Sequence, residues 1–252
     1  LGASVSQNNF MGSGNRMSLG VQKTDTVESY NFSYLNPYYT VDGVSRGFNF
    51  FYRETDFESL STVSDYQTNT YGGNVTFGYP ISRRQRLSFS VGYSNTEMFE
   101  GVTVPAEITD FIDSEGDVFD EYTLGLSWRY SSLNRGLFPT DGMEHEVKAD
   151  ISVPGSDLTY YKTSYTSNYY FPLATEWSLR LRTDLGYGDG FGDLERLPFF
   201  KNFRSGGIGA VRGYQINSLG PKGLPEYVPV SLAETDAAGN VVYETDELGR
   251  PL

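Results

Sequence analysis

The best-placed reactive group in this 252-residue chain is an arginine among glycines. SGGIGAVRGYQINSLGP, Ser205 to Pro221, carries five glycines and a proline, which rules out a stable helix and weakens any strand. Arg212 stands there between Val211 and Gly213, with Tyr214 next. A guanidinium on such a segment could pair bidentately with a carboxylate and fix the loop in place. The plain alternative is a solvated loop with an exposed arginine. Against it, Val211 and Tyr214 are poor choices for a solvated tip, and Gly206 and Gly207 allow close backbone approach. A loop folded inward, carrying Arg212 into a charged interior, accounts for both.

The other chemical candidates are weaker. There is no cysteine, which excludes disulfides, zinc-thiolate sites and thiol catalysis. The one histidine, His145, has no second imidazole to share a metal or relay a proton, and no Ser–His–Asp set can be assembled. GYGDGFGD (186–193) fails the G-x-G-x-x-G spacing and leads into no helix, so its glycines more simply let a strand bend away. DFIDSEGD (110–117) is acidic but lacks the spacing of a calcium loop, and a solvated loop is its default reading. Asn31 and Asn74 match the glycosylation pattern inside strands, where it is taken as chance. No cofactor or metal is expected. The formal charge of −13 argues against a nucleic-acid partner, which needs a basic face.

The elements that must position Arg212 are strands. Aromatics make up 15% of a chain only 38% hydrophobic, with twenty Tyr and seventeen Phe, as suits a large single-layer sheet. Alternation with a period of two runs through 86–94, 122–130, 144–153 and 177–187. Shorter matches fall near 1–8, 16–23, 27–36, 45–56, 66–79 and 159–171, which predicts about ten strands and no helix. One face is apolar; the other carries Arg53, Glu146, Lys148, Asp150, Arg180 and Arg182 among small residues. Strands of ten residues with one dry and one wet, charged face suit a transmembrane barrel around a hydrated lumen. A soluble antiparallel sheet with one solvated face would alternate in the same way.

The connections favour the barrel. Compact turns at 8–15, 36–45, 79–85, 134–142 and 171–176 alternate with looser acidic segments such as 57–66 and 100–121. Short turns on one side and long loops on the other mark membrane barrels. Tyr38, Tyr39, Tyr79, Phe138 and Phe171 beside the turns would form an interfacial girdle. Strand parity puts the segment after Gly188, and so Arg212, on the long-loop, external side. The opening LGASVSQNNF has no methionine, basic region or apolar core, so no signal peptide is expected.

With these residues in view, GG at 206–207 followed by VRGY at 211–214 resembles the signature of a superfamily of POTRA-barrel proteins. Its members assemble outer-membrane proteins or secrete partner polypeptides. NPYYTVDGVS, NRGLFPTDG, VPGSD (153–157), GYGDGFG and LPFFKNF (197–203), in that order, narrow the resemblance, which runs from residue 1 to about 225. It implies an all-β, antiparallel transmembrane β-barrel of about sixteen strands, of which the chain holds the second to the eleventh. Residues 1–252 would then be a partial barrel domain, with strands within 1–188, an extracellular loop at 189–252 and no POTRA domain. The resemblance implies that Val211, Arg212, Gly213 and Tyr214 tip a loop docked in the lumen, supported by Gly206 and Gly207. Arg212 would pair there with acidic residues on later strands.

The implied function is non-enzymatic: the central component of the machinery that folds and inserts β-barrel proteins in a Gram-negative outer membrane. A sibling polypeptide transporter, TamA-like or a two-partner secretion pore, is the other reading. Implied partners are nascent outer-membrane β-barrel polypeptides, the machinery's lipoproteins, and outer-membrane lipid with lipopolysaccharide. An open sheet of ten strands leaves two unpaired edges, so these strands should not be stable in a membrane alone.

Overall fold

The computed structural model describes residues 1–24, 26–56, 66–100, 106–174, 177–192, 194–207, 210–215, 218–220, 234–235 and 241–242. Alternation becomes one ten-stranded antiparallel sheet in which every strand pairs with its neighbours in sequence. The strands are β1 (Gly2–Gln7), β2 (Arg16–Lys23), β3 (Val27–Asn36), β4 (Ser45–Asp56) and β5 (Tyr66–Ser82). There follow β6 (Gln85–Glu100), β7 (Val118–Ser131), β8 (Gly142–Ser152), β9 (Tyr160–Ala174) and β10 (Trp177–Gly190). A two-residue ladder, β11 (Glu234–Thr235) with β12 (Val241–Val242), lies in the tail.

Register fixes the two faces. Met17, Tyr34, Phe48, Val75, Val91, Leu124, Ile151 and Tyr161 form one unbroken cross-strand row from β2 to β9. The opposite face has the row Ser18, Ser33, Asn49, Asn74, Gly92, Thr123 and Ser152. Its members bond sideways: the Ser18 and Ser33 hydroxyls lie 2.7 Å apart. The apolar face is bare, with Leu126 51% and Leu185 62% exposed. A continuous apolar surface of this extent needs a membrane against it. No described helix is long and apolar enough to cross one, so the crossing elements are strands.

Strands longer than the nine to eleven residues or so that a bilayer requires stand beyond the apolar band at one end. β5 has 17 residues and β6 has 16. These extensions carry polar groups on both faces (Asn95, Thr96 and Glu97 on β6), so the alternation that marks the spans stops before the strands do. The buried core lies at this end, on the polar face: Tyr66, Met98, Phe119, Leu158, Tyr160 and Leu194.

One expectation fails here. The segment 100–121 contains α1 (Ala106–Glu115), where no helix was predicted. Ile108, Phe111 and Ile112 recur at helical spacing, and Ile108 is buried while Phe111 and Ile112 pack against the core. The acidic residues between them hide that period. DFIDSEGD is therefore largely the end of this helix. Among the described residues no group of three acidic or imidazole side chains is placed to hold a metal ion.

The glycines of β5 and β6 accommodate crowded strand pairs. A Cβ at Gly72 would drive into the Tyr93 carbonyl oxygen and lie 2.9 Å from Ser94 Cα. Backbone cannot yield there as a side-chain tip can. Gly72→Ala in the full-length protein should lower stability by about 1–3 kcal/mol. The urea midpoint of the folded-to-unfolded electrophoretic shift checks this, and an unchanged midpoint would contradict it.

Candidate functional site: a loop packed on the polar face

Beyond Gly190 the chain turns back over the polar face instead of leaving the sheet. The end of β10 is cleared for it. A Cβ at Gly186 would lie 2.6 Å from the Phe203 ring, and one at Gly188 would lie 3.3 Å from Leu197 Cδ2. At Gly190 it would meet the Arg196 carbonyl oxygen at 2.7 Å. GYGDGFG thus forms a floor for the returning loop.

The loop root is 194–204. Leu194 and Pro198 are buried, and a single 3-10 turn, Phe199–Lys201, sets two rings into an aromatic cluster. Phe199 meets Tyr66 edge-on at 5.3 Å and Phe111 of α1 at 5.5 Å. Phe200 stacks on Phe119 at 6.0 Å. Edge-to-face and offset pairs at such distances add to simple burial. α1, the loop root and the tops of β5 and β7 thereby share one cluster.

A charged contact lies beneath it. Lys201 Nζ is 2.6 Å from Glu121 Oε2, and the Glu121 side chain is fully buried. Ser94 Oγ donates to the same oxygen at 3.2 Å, while Oε1 is buried without a hydrogen-bond partner among the described residues. Burial works against the Lys201 ammonium. The attraction of Glu121 and Tyr160 outweighs it and holds the Lys201 pKa above the ordinary lysine value. Lys162 Nζ donates to the Lys201 carbonyl at 2.5 Å and lies 4.4 Å from the Phe203 ring centroid. Arg204 Nη2 donates to Tyr66 OH at 3.0 Å.

The glycine-rich motif follows as a closed hairpin-like loop. Ser205 N donates to Leu219 O at 2.7 Å and Leu219 N to Ser205 O at 2.9 Å. Gly207 N donates to Tyr214 O at 3.1 Å. Gly206, Gly207 and Gly213 have φ of +121°, +90° and +91°. A Cβ at Gly206 would run into the Gln215 carbonyl oxygen, so only glycine closes the neck. Val211, Arg212, Gly213 and Tyr214 occupy the tip and are exposed. Arg212 makes no ion pair among the described residues; Ile208, Gly209, Ile216 and Asn217 lie outside them.

The structure thus brings Gly206, Gly207 and the four tip residues together but sets Arg212 against no carboxylate of the sheet. The cation of this loop that meets a buried carboxylate is Lys201, upstream of Arg212 in LPFFKNF. In the sequence that block served only the family resemblance, and Lys201 was given no role. Its only signal was two phenylalanines and a lysine just after a glycine-rich strand end. His145 lies on the apolar face, with Nδ1 3.0 Å from Tyr165 OH. Asn31 faces the polar side, where its Nδ2 donates to Asn49 Oδ1 at 3.0 Å.

Known proteins are similar to this chain in sequence and fold. The family model of the Omp85 superfamily domain matches residues 9–245. The outer membrane protein assembly factor BamA of Neisseria meningitidis serogroup B (strain ATCC BAA-335 / MC58) is 32% identical over 236 residues. That match takes in 90% of this chain but 30% of the relative's length, so the chain spans under a third of that protein. BamA of Buchnera aphidicola is 27% identical over 93 residues, covering 37% of this chain and 15% of that protein. The crystal structure of BamA from Haemophilus ducreyi lacking POTRA domains 1-3 superposes with a TM-score of 0.80 at 30% identity. That superposition covers 88% of this chain and 44% of the other. An up-and-down sheet with one bare apolar face, a loop returned over its polar face and a family match across nearly the whole length lead to one conclusion: the chain belongs to the Omp85 superfamily.

Proposed function

We propose that this chain supplies barrel strands and the docked external loop of a factor that folds and inserts β-barrel proteins into the outer membrane. The observation that carries this reading is the loop, anchored by its root on the polar face and closed at its neck, in a chain that superposes on a BamA structure at 30% identity. The apolar face lies against outer-membrane lipid. The partners are nascent outer-membrane β-barrel polypeptides, with the lipoproteins of the machinery and lipopolysaccharide as neighbours.

The activity on this reading is non-enzymatic. An incoming strand is bound through main-chain hydrogen bonds, which need little side-chain specificity. By the family resemblance the seam where strands add lies outside these ten strands. What this chain contributes is a fixed loop whose tip offers Arg212. A guanidinium has the fork geometry to bind a carboxylate through two parallel bonds, and a lumen carboxylate outside this chain is its partner.

Two substitutions in the full-length protein test this. Arg212→Ala should lower the folded outer-membrane barrels several-fold in cells depleted of the native copy, with the 205–219 neck still closed. Wild-type barrel levels would sink the reading. Gly206→Ala forces a side chain into the Gln215 carbonyl at φ +121°, a strain of about 1–3 kcal/mol. It should open the neck to limited proteolysis, and resistance equal to the parent would show that the clasp tolerates a side chain.

A further inference from the structure

We infer that Lys201 and Glu121 are positioning residues, a buried electrostatic latch that fixes the external loop on the sheet independently of Arg212. The two side chains come from positions 80 apart in sequence and meet at 2.6 Å. Glu121 is fully enclosed and Lys201 is 22% exposed, so water screens the pair weakly. Among the described residues no other cation pairs with Glu121. Its second donor is the uncharged Ser94 hydroxyl, and its other oxygen has no described partner. Lys162 of β9 is engaged with the Lys201 carbonyl and the Phe203 ring.

The position of the pair matters as much as its burial. Lys201 closes the 3-10 turn that carries Phe199 and Phe200, and its Nζ lies 5.2 Å from the Phe200 ring and 5.6 Å from Tyr160. Holding the ammonium therefore holds the turn, and holding the turn seats both rings against Phe119, Tyr66 and α1. Four residues later Ser205 opens the neck of the glycine-rich hairpin. A release at Lys201 would free the base from which the Arg212 tip is presented. Breaking one partner of a buried pair leaves an uncompensated charge, so each single change should act far beyond the loss of one surface contact.

Lys201→Met keeps the length of the side chain and Glu121→Gln keeps its shape, so each removes charge with little change in packing. In the full-length protein in lipid, each should speed amide hydrogen exchange across 191–204 by about tenfold or more. Exchange in β2–β4 should stay unchanged, and the charge-swapped double variant, Lys201→Glu with Glu121→Lys, should move exchange back toward the parent. Parental exchange in both single variants would overturn the latch, and so would a rise spread evenly over the sheet or loss of the folded barrel. The bearing of the latch on barrel assembly rests on the function proposed above. A local rise in exchange with normal outer-membrane barrel levels would leave the latch standing and remove that link.

Discussion

The hydrogen-bonding demand of backbone in hydrocarbon governs this molecule. Each peptide group in a membrane must find its partner within the protein, because no water is there to serve. Sequential antiparallel pairing from β1 to β10 meets that demand everywhere but at the outer edges of β1 and β10. Once the ladder is laid down, side chains must alternate between lipid and lumen, and the composition follows. Aromatic and β-branched residues line one side, with serine, threonine, asparagine and charged groups on the other.

A hydrated polar face is also what lets a loop come back inside. Loop backbone buried against an apolar wall would leave its own polar groups without partners. On this face Lys162 meets the Lys201 carbonyl and Arg204 meets Tyr66 OH. The core accordingly sits at the tops of the strands rather than between layers, where α1 and the loop root cover Phe119 and Tyr66. This half of the sheet is capped by two segments that grip one another through aromatic rings.

The spans were legible in the sequence because each strand's environment is set by its immediate neighbours. Predicted runs such as 86–94 and 122–130 fall inside β6 (Gln85–Glu100) and β7 (Val118–Ser131), and stop where both faces become polar. Glycine at 206 and 207 marks backbone freedom in the sequence, while the φ values of +121° and +90° belong to the folded neck. The helix was not, because the aspartates around Ile108, Phe111 and Ile112 blur its period and its partner rings lie at 199 and 200. The latch was not legible for the same reason. Nothing near Glu121 says that a lysine 80 residues on will reach it.

Lys201 and Arg212 differ in a way that suits their places. Lys201 offers a compact point charge on a flexible stem, which can thread between the Phe200 and Tyr160 rings to a single carboxylate oxygen. Arg212 is displayed on an exposed tip whose neck is fixed by the Ser205–Leu219 bonds. There its fork of donors stays open to solvent. The root is held by a contact made under burial, the tip is left exposed, and the glycines between them let the two be set separately.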